Sequence, residues 1–508
     1  MERENIPNIP NIQWNSIVPQ PQQLELLGGS IRPEQLRIEL NEPFSKEIAG
    51  FASRHEFLAG TGSVPLRVCQ ESRYGAEGYR IEIRSDAVML RAGSPAGAFY
   101  ATMTLSQWLW QHSALPQAIV EDRPRFTWRG YMLDVSRHFF PLSYVKELMR
   151  QLASYKINRF HIHLSDDQGW RLAIEQYPKL AELGSKRYDN IDHYYTNSPA
   201  DRGFYSKQDI RELHDLGEKL HISIVPEIDL PGHATAAIAC YPELMCDTFR
   251  DEALKIQPIW GISRNVLCLA KPETWDFVYA VLDEVAEMFP APFVHLGGDE
   301  VPRHHWENCP DCQKMVCEEG LGNCDGLQNL FTQRSRDYLL AKGKTPLYWD
   351  EVEESGLSEG TVCCFWRSWT GSTEERAESW DIRAASKGVP VISCPVNGAY
   401  LDYKHSHDPN EGSEPAVLSV YDSYHFAPLA DKRPDLAPLN WGVQANLWSE
   451  RIATPRQAEY MSFPRVLAIA EQGWNKGGWS LFRSKWDMQQ RVLAAQGVRN
   501  YYRGPWNA

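Results

Sequence analysis

The distribution of apolar and polar residues changes near residue 124 of the chain. Before that point, residues 36–40 (LRIEL) and 78–83 (GYRIEI) alternate apolar with polar side chains, as half-buried β-strands do. Residues 94–110 instead carry apolar side chains at helical spacing. A charged segment that ends in proline, Glu121 to Pro124, is typical of a linker. We therefore predict a small α+β domain over residues 1–124.

From residue 125 onward, short apolar runs alternate with amphipathic helical stretches such as residues 142–155, which predicts parallel strands joined by helices. The eight apolar runs are 131–135, 159–164, 222–228, 293–297, 346–349, 362–366, 389–393 and 443–448. Eight such units predict an α/β fold, a closed (β/α)8 TIM barrel over residues 125–508. The alternative is an open doubly wound sheet, but no glycine-rich phosphate turn follows the first strand.

Polar and aromatic side chains follow each apolar run. In a (β/α)8 barrel the active site lies at the carboxyl ends of the strands, so these residues are candidates for chemistry. In strand order they are Asp134 and Arg137; His163, Asp166 and Asp167; Glu227, Asp229 and His233; Asp299 and Glu300; Trp349 and Asp350; Trp366; Tyr400 and Asp402; Trp448 and Glu450. Carboxylates, one arginine and several tryptophans favour recognition of a neutral polyhydroxylated ring. We therefore expect a sugar as the substrate.

Composition narrows the choice of partner. The chain has 66 acidic and 52 basic residues, a formal net charge of −14, which disfavours nucleic acid and anionic lipid. Its 18 Trp and 22 Tyr supply flat rings that stack on sugar faces. No apolar run is long enough to predict membrane insertion, and the first residues lack the pattern of a secretory signal. We expect a soluble, cytoplasmic protein with no cofactor and no catalytic metal, and the sequence makes no prediction of oligomeric state.

The adjacent carboxylates Asp299 and Glu300 indicate glycoside hydrolysis with an unusual nucleophile. Most glycosidases place an acid and a nucleophile on opposite faces of the sugar, but neighbouring side chains diverge and cannot easily flank one anomeric carbon. A 2-acetamido group can instead attack its own anomeric carbon and form an oxazolinium ring. Asp299 would then accept the acetamido N–H. Glu300, holding a proton beside the charge of Asp299, would protonate the leaving oxygen and later deprotonate the incoming water.

Four motifs resemble those of one known family. They are LDVSRHF at 133–139, HIHLSDDQGWR at 161–171, PEIDLPGH at 226–233 and HLGGDE at 295–300. On these motifs the chain resembles the retaining β-N-acetylhexosaminidases of glycoside hydrolase family 20 over nearly its whole length. The resemblance implies exo-acting release of a terminal β-linked N-acetylglucosamine or N-acetylgalactosamine from a glycan by substrate-assisted catalysis.

The resemblance also implies roles for the other candidates. The residues that would bind the ring hydroxyls are Arg137, Asp402 and Glu450. The tryptophans that would wall the acetamido pocket are Trp349, Trp366 and Trp448. Tyr400 would donate a hydrogen bond to the acetamido carbonyl oxygen. The residues that would support or orient the catalytic pair are His163, Asp166, Asp229 and His233.

Two other functions compete with this interpretation. His161 and His163 lie on the same face of a predicted strand and resemble the metal ligands of amidohydrolases, but the later strands offer tryptophan where that class needs further histidines. A non-catalytic sugar-binding protein is the second alternative.

The cysteines give a separate signal. Cys309, Cys312, Cys317 and Cys324 follow the fourth predicted strand, and their C-x2-C start is found in zinc sites. Free thiols in an elaborated loop are the alternative.

Overall fold

The computed structural model describes residues 14–38, 43–55, 62–187, 201–250, 255–355, 357–368, 379–408, 411 and 414–506. Residues of the first three ranges form a six-stranded sheet with both parallel and antiparallel strands. Its strands are Gln23–Ile31, Leu36–Ile38, Val64–Gln70, Tyr79–Ile83, Val88–Ala92 and Leu115–Asp122. Their order across the sheet is first, sixth, fourth, fifth, third and second. Of the predicted strand 36–40, residues 39–40 lie outside the described ranges.

Two helices accompany this sheet, Ser45–Arg54 and Pro95–His112. The longer helix begins where the Ser94 hydroxyl accepts a hydrogen bond from the backbone N–H of Gly97, and it is buried along most of its length. It packs on the central strands of the sheet, where Ile81 and Ile83 are fully buried. The predicted α+β architecture is therefore confirmed.

Eight parallel strands form a closed barrel. The strands are Trp128–Asp134, Arg159–His163, Ser223–Glu227, Phe293–His295, Thr345–Trp349, Val362–Phe365, Val391–Ser393 and Asn440–Leu447. Each falls within or beside one of the eight apolar runs, so the predicted (β/α)8 barrel is confirmed. The ring closes where the eighth strand pairs with the first, from Gly442 opposite Trp128 to Leu447 opposite Leu133.

Helices of unequal length connect the barrel strands. Those after the first four strands are Leu142–Ala153, Lys179–Glu182, Lys207–Leu220, Thr235–Cys240, Pro272–Met288, His304–Glu307, Pro310–Glu318 and Cys324–Ala341. Those after the last four are Val352–Ser355, Trp380–Ser386, Val396–Ala399, Val420–His425, Leu429–Lys432, Pro455–Ser462, Arg465–Trp474, Trp479–Ser484 and Trp486–Ala495. Within the described residues, the fifth strand is followed by a single helical turn, because only a short connection separates it from the sixth.

The loops contain short 3-10 helices and short paired strands. The 3-10 helices are Pro33–Gln35, Ser72–Tyr74, Pro242–Leu244, Asp247–Phe249 and Pro434–Leu439. The paired short strands are Ser165–Asp166 with Gly169–Trp170, Lys186–Arg187 with Asp201–Arg202, and Tyr403–Lys404 with Glu414–Val417. Among the described helices, none has the length and apolar character needed to cross a bilayer.

The segment predicted to be a linker, Glu121 to Pro124, contains a buried residue at the contact between the sheet and the barrel. Asp122 ends the last strand of the sheet and is only 2% exposed. Its carboxylate accepts hydrogen bonds from Lys156 at 2.9 Å and from the indole N–H of Trp474 at 2.8 Å, and both of these residues belong to the barrel. The prediction of a linker from the charge of this segment was therefore wrong at Asp122, since its charge is paired across the contact between sheet and barrel.

Candidate active site

A pocket of about 280 Å³ opens at the carboxyl ends of the barrel strands. The residues that line it are Arg137, His233, Asp299, Glu300, Trp366, Val396, Tyr400, Asp402, Tyr403, Glu414, Trp448 and Glu450. Nine of them are among the candidates that follow the apolar runs. The closed barrel brings these residues together although they lie far apart in the sequence.

A left-handed turn carries the adjacent carboxylates. Gly297 and Gly298 have φ values of 64° and 85°. A Cβ atom on Gly297 would lie 1.8 Å from Oδ1 of Asp229, so no other residue fits there. Glu300 also adopts a positive φ, 48°, a conformation that costs a non-glycine residue energy and is most often found at functional sites. The turn leaves the Asp299 side chain 12% exposed and the Glu300 side chain 35% exposed.

His233 lies beside both carboxylates. Its Nε2 atom is 3.6 Å from Oε2 of Glu300 and 3.9 Å from Oδ2 of Asp299, and its Nδ1 atom is 3.1 Å from Oδ1 of Asp166. Burial alone would lower the pKa of His233, but the carboxylates of Asp166 and Asp229 raise it well above its usual value. A positively charged imidazolium therefore faces Glu300 from inside the barrel.

Arg137 is the centre of a second set of contacts. Its guanidinium lies 2.8 Å from Oδ2 of Asp166, 3.3 Å from Oδ2 of Asp134 and 3.6 Å from Oε1 of Glu450. We call these four residues, Arg137, Asp134, Asp166 and Glu450, the arginine group. Burial would raise the pKa of Asp166, but Arg137 and His233 hold it far below its usual range.

A third set of carboxyl groups has fewer cationic partners. A carboxylate oxygen of Asp229, a carboxylate oxygen of Asp299 and a ring nitrogen of His233 all lie within 4.8 Å of one another. Burial, followed by the charge of Asp299, raises the pKa of both Asp229 and Glu351 well above the usual range. Burial also raises the pKa of Asp299, against the opposing effect of His233. We call Asp229, Asp299 and Glu351 the acid group.

Aromatic rings complete the pocket. Trp366 and Tyr400 stack with ring centres 5.9 Å apart and planes 15° from parallel. The indole N–H of Trp366 donates to Oε2 of Glu351 at 2.7 Å. Trp448 contacts Tyr400 on one side and Arg137, whose guanidinium carbon lies 5.0 Å from the ring centre, on another. These rings form an apolar surface against which a sugar face can pack.

Beneath the pocket, Glu227 is surrounded by three histidines. Its carboxylate lies 2.6 Å from Nδ1 of His163, 3.0 Å from Nε2 of His161 and 3.1 Å from Nδ1 of His295, and the indole of Trp349 donates to it at 2.8 Å. Burial would raise the pKa of Glu227, but the histidines hold it well below its usual range. The predicted H-x-H pair therefore contacts a carboxylate inside the barrel and does not line the pocket.

Two family models match the chain. The catalytic domain of glycosyl hydrolase family 20 matches residues 126–477, and domain 2 of the same family matches residues 15–123. The chain belongs to glycosyl hydrolase family 20. The resemblance seen in the motifs is thereby confirmed.

Individual family 20 proteins are similar over most of the chain. A β-hexosaminidase of Porphyromonas gingivalis is 36% identical over 414 residues, which cover 78% of this chain and 51% of that protein. One of Akkermansia muciniphila is 31% identical over 476 residues, covering 91% of this chain and 90% of that protein. The chain thus spans about half of the first relative. A crystal structure of a Vibrio harveyi family 20 exo-β-N-acetylglucosaminidase in complex with N-acetylglucosamine has a TM-score of 0.85 at 32% identity, covering 97% of this chain and 79% of that one.

Most of the predicted site residues of this family 20 chain meet around the pocket, but four lie deeper, among them His163, which contacts Glu227 beneath the pocket. Asp166 and Asp229 are buried behind His233 and Asp299. Trp349 is 1% exposed and is not among the residues that line the pocket. Its ring packs 5.7 Å from that of Trp448. The role of Trp349 as a wall of the acetamido pocket stays a prediction; its indole N–H donates to Glu227 beneath the pocket.

The sequence reasoning missed four residues: Val396, Tyr403 and Glu414, which line the pocket, and Glu351, which accepts a hydrogen bond from Trp366. Glu351 follows Trp349-Asp350 directly, so reading one residue further along the fifth strand's end would have found it. Tyr403 and Glu414 reach the pocket through the short strand pair after the seventh barrel strand. Their positions depend on the path of a long loop, for which the sequence carries no periodic signal.

Proposed function

We propose that the chain is an exo-acting, retaining β-N-acetylhexosaminidase that uses the substrate acetamido group as its nucleophile. The observation that carries this proposal is the different setting of the two adjacent carboxylates. Asp299 is buried beside Asp229 and has an Oδ1 atom with no hydrogen-bond partner among the described residues. Glu300 is more exposed and faces His233. One is therefore suited to hold a substrate N–H, and the other to exchange protons with a leaving group and water.

The first chemical step transfers the sugar to its own acetamido oxygen. Glu300 donates its proton to the glycosidic oxygen as the bond from that oxygen to the anomeric carbon breaks. The acetamido carbonyl oxygen forms a bond to the same carbon, which gives an oxazolinium ion. Asp299 accepts the acetamido N–H and balances the positive charge that develops on the ring.

In the second step, Glu300 takes a proton from water while the water oxygen bonds to the anomeric carbon and the oxazolinium ring opens. Two inversions at one carbon give net retention. The proton taken by Glu300 restores its starting state. The imidazolium of His233, 3.6 Å away, stabilises Glu300 whenever it is negatively charged.

The remaining pocket residues would bind the terminal sugar. Arg137 would present its guanidinium, and Asp402 and Glu450 their carboxyl groups, to ring hydroxyls. Tyr400 would donate its O–H to the acetamido carbonyl oxygen, and Trp448 would pack on the sugar face. A pocket of about 280 Å³ suits one N-acetylhexosamine unit, which favours cleavage from the non-reducing end of a glycan.

The decisive experiment compares Glu300→Gln with Asp299→Asn on two substrates, N,N′-diacetylchitobiose (called chitobiose below) and p-nitrophenyl N-acetyl-β-glucosaminide. In Glu300→Gln, kcat/KM on chitobiose should fall by about 10²–10⁴-fold. The fall on the nitrophenyl glycoside should be smaller, because nitrophenolate leaves without protonation. Asp299→Asn should reduce both to a similar extent, since its partner is the acetamido group.

A control and two opposing outcomes complete this test. Glu359→Gln changes an exposed glutamate outside the pocket and should match the parent. Full activity of Glu300→Gln on chitobiose, or efficient cleavage of a plain β-glucoside, would contradict the mechanism. If the chain were only a sugar-binding protein, the parent would show no turnover, and every variant would bind the sugar as the parent does.

A further inference from the structure

Four buried cysteines from two loops converge on one point. Cys246, Cys268, Cys309 and Cys312 are each at most 2% exposed. Their Sγ atoms all lie within 4.8 Å of one another, and none forms a disulfide. We call these residues the cysteine cluster. Only two of them belong to the group that the sequence pattern singled out.

The sulfur spacing matches a metal tetrahedron. The Sγ atom of Cys312 lies 3.8 Å from that of Cys246 and 3.6 Å from that of Cys268. Zinc–sulfur bonds of about 2.3 Å in tetrahedral geometry place neighbouring sulfurs about 3.8 Å apart. A disulfide needs about 2.05 Å between sulfurs. An iron–sulfur cubane, which inserts sulfide between the irons, needs more room than this cluster leaves.

The surroundings suit negatively charged thiolates. Cys309 precedes the helix Pro310–Glu318, and Cys312 lies in its first turn, where the helix dipole favours negative charge. Lys271 donates a hydrogen bond to the carbonyl oxygen of Met245, directly before Cys246. Burial of all four sulfurs leaves no open position for a substrate, as expected of a structural site.

We propose that the cysteine cluster binds one zinc ion, which ties the loop after the third barrel strand to the loop after the fourth. Those loops carry the catalytic machinery. The backbone N–H of Leu267, next to Cys268, donates to the carbonyl oxygen of Pro231, two residues before His233. Trp306, shortly after Glu300, donates its indole N–H to the carbonyl oxygen of Leu267 at 2.9 Å. The ion would therefore hold the His233 loop and the Glu300 turn in a fixed relation.

The other two cysteines of the segment lie outside the cluster and provide a matched control. Cys317 is exposed, and Cys324 accepts a hydrogen bond from Gln313 at 3.3 Å. Substituting this pair changes the same number of thiols in the same stretch of chain. Any general effect of thiol removal should appear there too.

The test is metal analysis of the full chain after dialysis against metal-free buffer. We expect about one zinc per chain in the parent and in the double variant Cys317→Ser/Cys324→Ser. The double variant Cys309→Ser/Cys312→Ser should fall below about one tenth of that content and melt several degrees lower. Because that variant can fail to fold, the parent should also be prepared with cobalt, whose visible absorption reports tetrahedral thiolate coordination directly.

Several outcomes would overturn the proposal. They are parent protein without zinc after expression in zinc-supplemented medium, zinc retained by Cys309→Ser/Cys312→Ser, iron in place of zinc, and an intact mass lowered by the hydrogens lost in disulfide formation. Cobalt-loaded parent protein without thiolate-to-cobalt absorption would do the same. None of these readouts depends on glycosidase activity, so the zinc site and the proposed function can fail separately.

Discussion

The arginine group and the acid group each bury an aspartate, but the pKa values of these two aspartates are shifted in opposite directions. In the first, buried Asp166 lies 2.8 Å from the guanidinium of Arg137 and 2.7 Å from Nε2 of His163, and its pKa is held far below the usual range. In the second, equally buried Asp229 has Asp299 as a close neighbour, and its pKa is raised. Burial raises the pKa in both cases, so the neighbouring charges decide the outcome.

The difference assigns distinct chemistry to the two groups. The low pKa of Asp166 keeps its carboxylate charged beside the guanidinium, which fixes Arg137 in place for binding ring hydroxyls. Asp229, by contrast, has a raised pKa that favours its protonated form, and in that form it can donate a hydrogen bond to Asp299 and stabilise its negative charge. His233 and the hydrogen bond from Asp229 oppose the effect of burial on the pKa of Asp299, which favours Asp299 as the charged member of the acid group, as a partner for a developing cation requires.

The largest effect is expected where the arginine group loses its cation. Arg137→Met leaves Asp134 and Asp166 buried without their partner, which should lower the free energy of unfolding by about 3–5 kcal/mol. Arg137→Lys should recover most of this stability, but kcat/KM should remain reduced by about 10²-fold because an ammonium cannot fork to two hydroxyls. Urea unfolding and steady-state kinetics test this pair. An Arg137→Met protein as stable as the parent would show that the group is not held by its cation.

A smaller effect is expected at Asp229. Asp229→Ala removes the hydrogen-bond donor to Asp299, so the pKa of Asp299 should rise and the acidic limb of the kcat/KM profile should move to higher pH. Activity at the optimum should fall by about 10²-fold, whereas Asp229→Asn keeps a donor and should stay within about tenfold of the parent. Equal losses in both variants would mean that Asp229 acts through negative charge and not through its proton.

Within the arginine group, Glu450 differs from Asp166 in the direction of its pKa shift, and the pH dependence of stability tests this difference. Burial raises the pKa of Glu450 to about 7, from 4.5, although Arg137 opposes this. A raised carboxyl pKa stabilises the fold at low pH, and that stability is lost as the pH rises from about 4.5 through about 7. Glu450→Gln removes this titration. The melting temperature of the variant minus that of the parent should therefore increase as the pH rises from about 5 to about 8. A constant difference across this range would contradict the shift.

The sequence predicted most of the site because topology determines it. Once eight strands close into a barrel, residues such as Arg137, Asp299 and Trp448 must meet at one end, whatever the loops do. The contacts that each side chain makes were harder to predict from the sequence. Trp349 lies at the end of a correctly predicted strand, yet its contact with Glu227 depends on packing inside the barrel.

Sequence patterns do not predict which residues of distant loops contact each other. Cys309 and Cys312 are visible as a C-x2-C motif, but Cys246 and Cys268 join them through the fold alone. Likewise, Asp122 looks like part of a solvated linker until Lys156 and Trp474 are placed against it. In both cases the missing information is which buried groups face each other, and local residue spacing does not encode it.

The smallest effect is expected at Glu351, the acid-group member that the sequence reasoning missed. Burial and the charges of Asp299 and Asp350 raise its pKa well above the usual range, which favours its neutral form. Glu351→Gln then preserves both the charge and an acceptor for the indole N–H of Trp366, and kcat/KM should change by less than about threefold. Glu351→Ala leaves that indole without its acceptor and should cost about tenfold. Kinetics of the two variants near pH 6 test this, and a large loss in Glu351→Gln would show that the acid group carries a second negative charge beside Asp299.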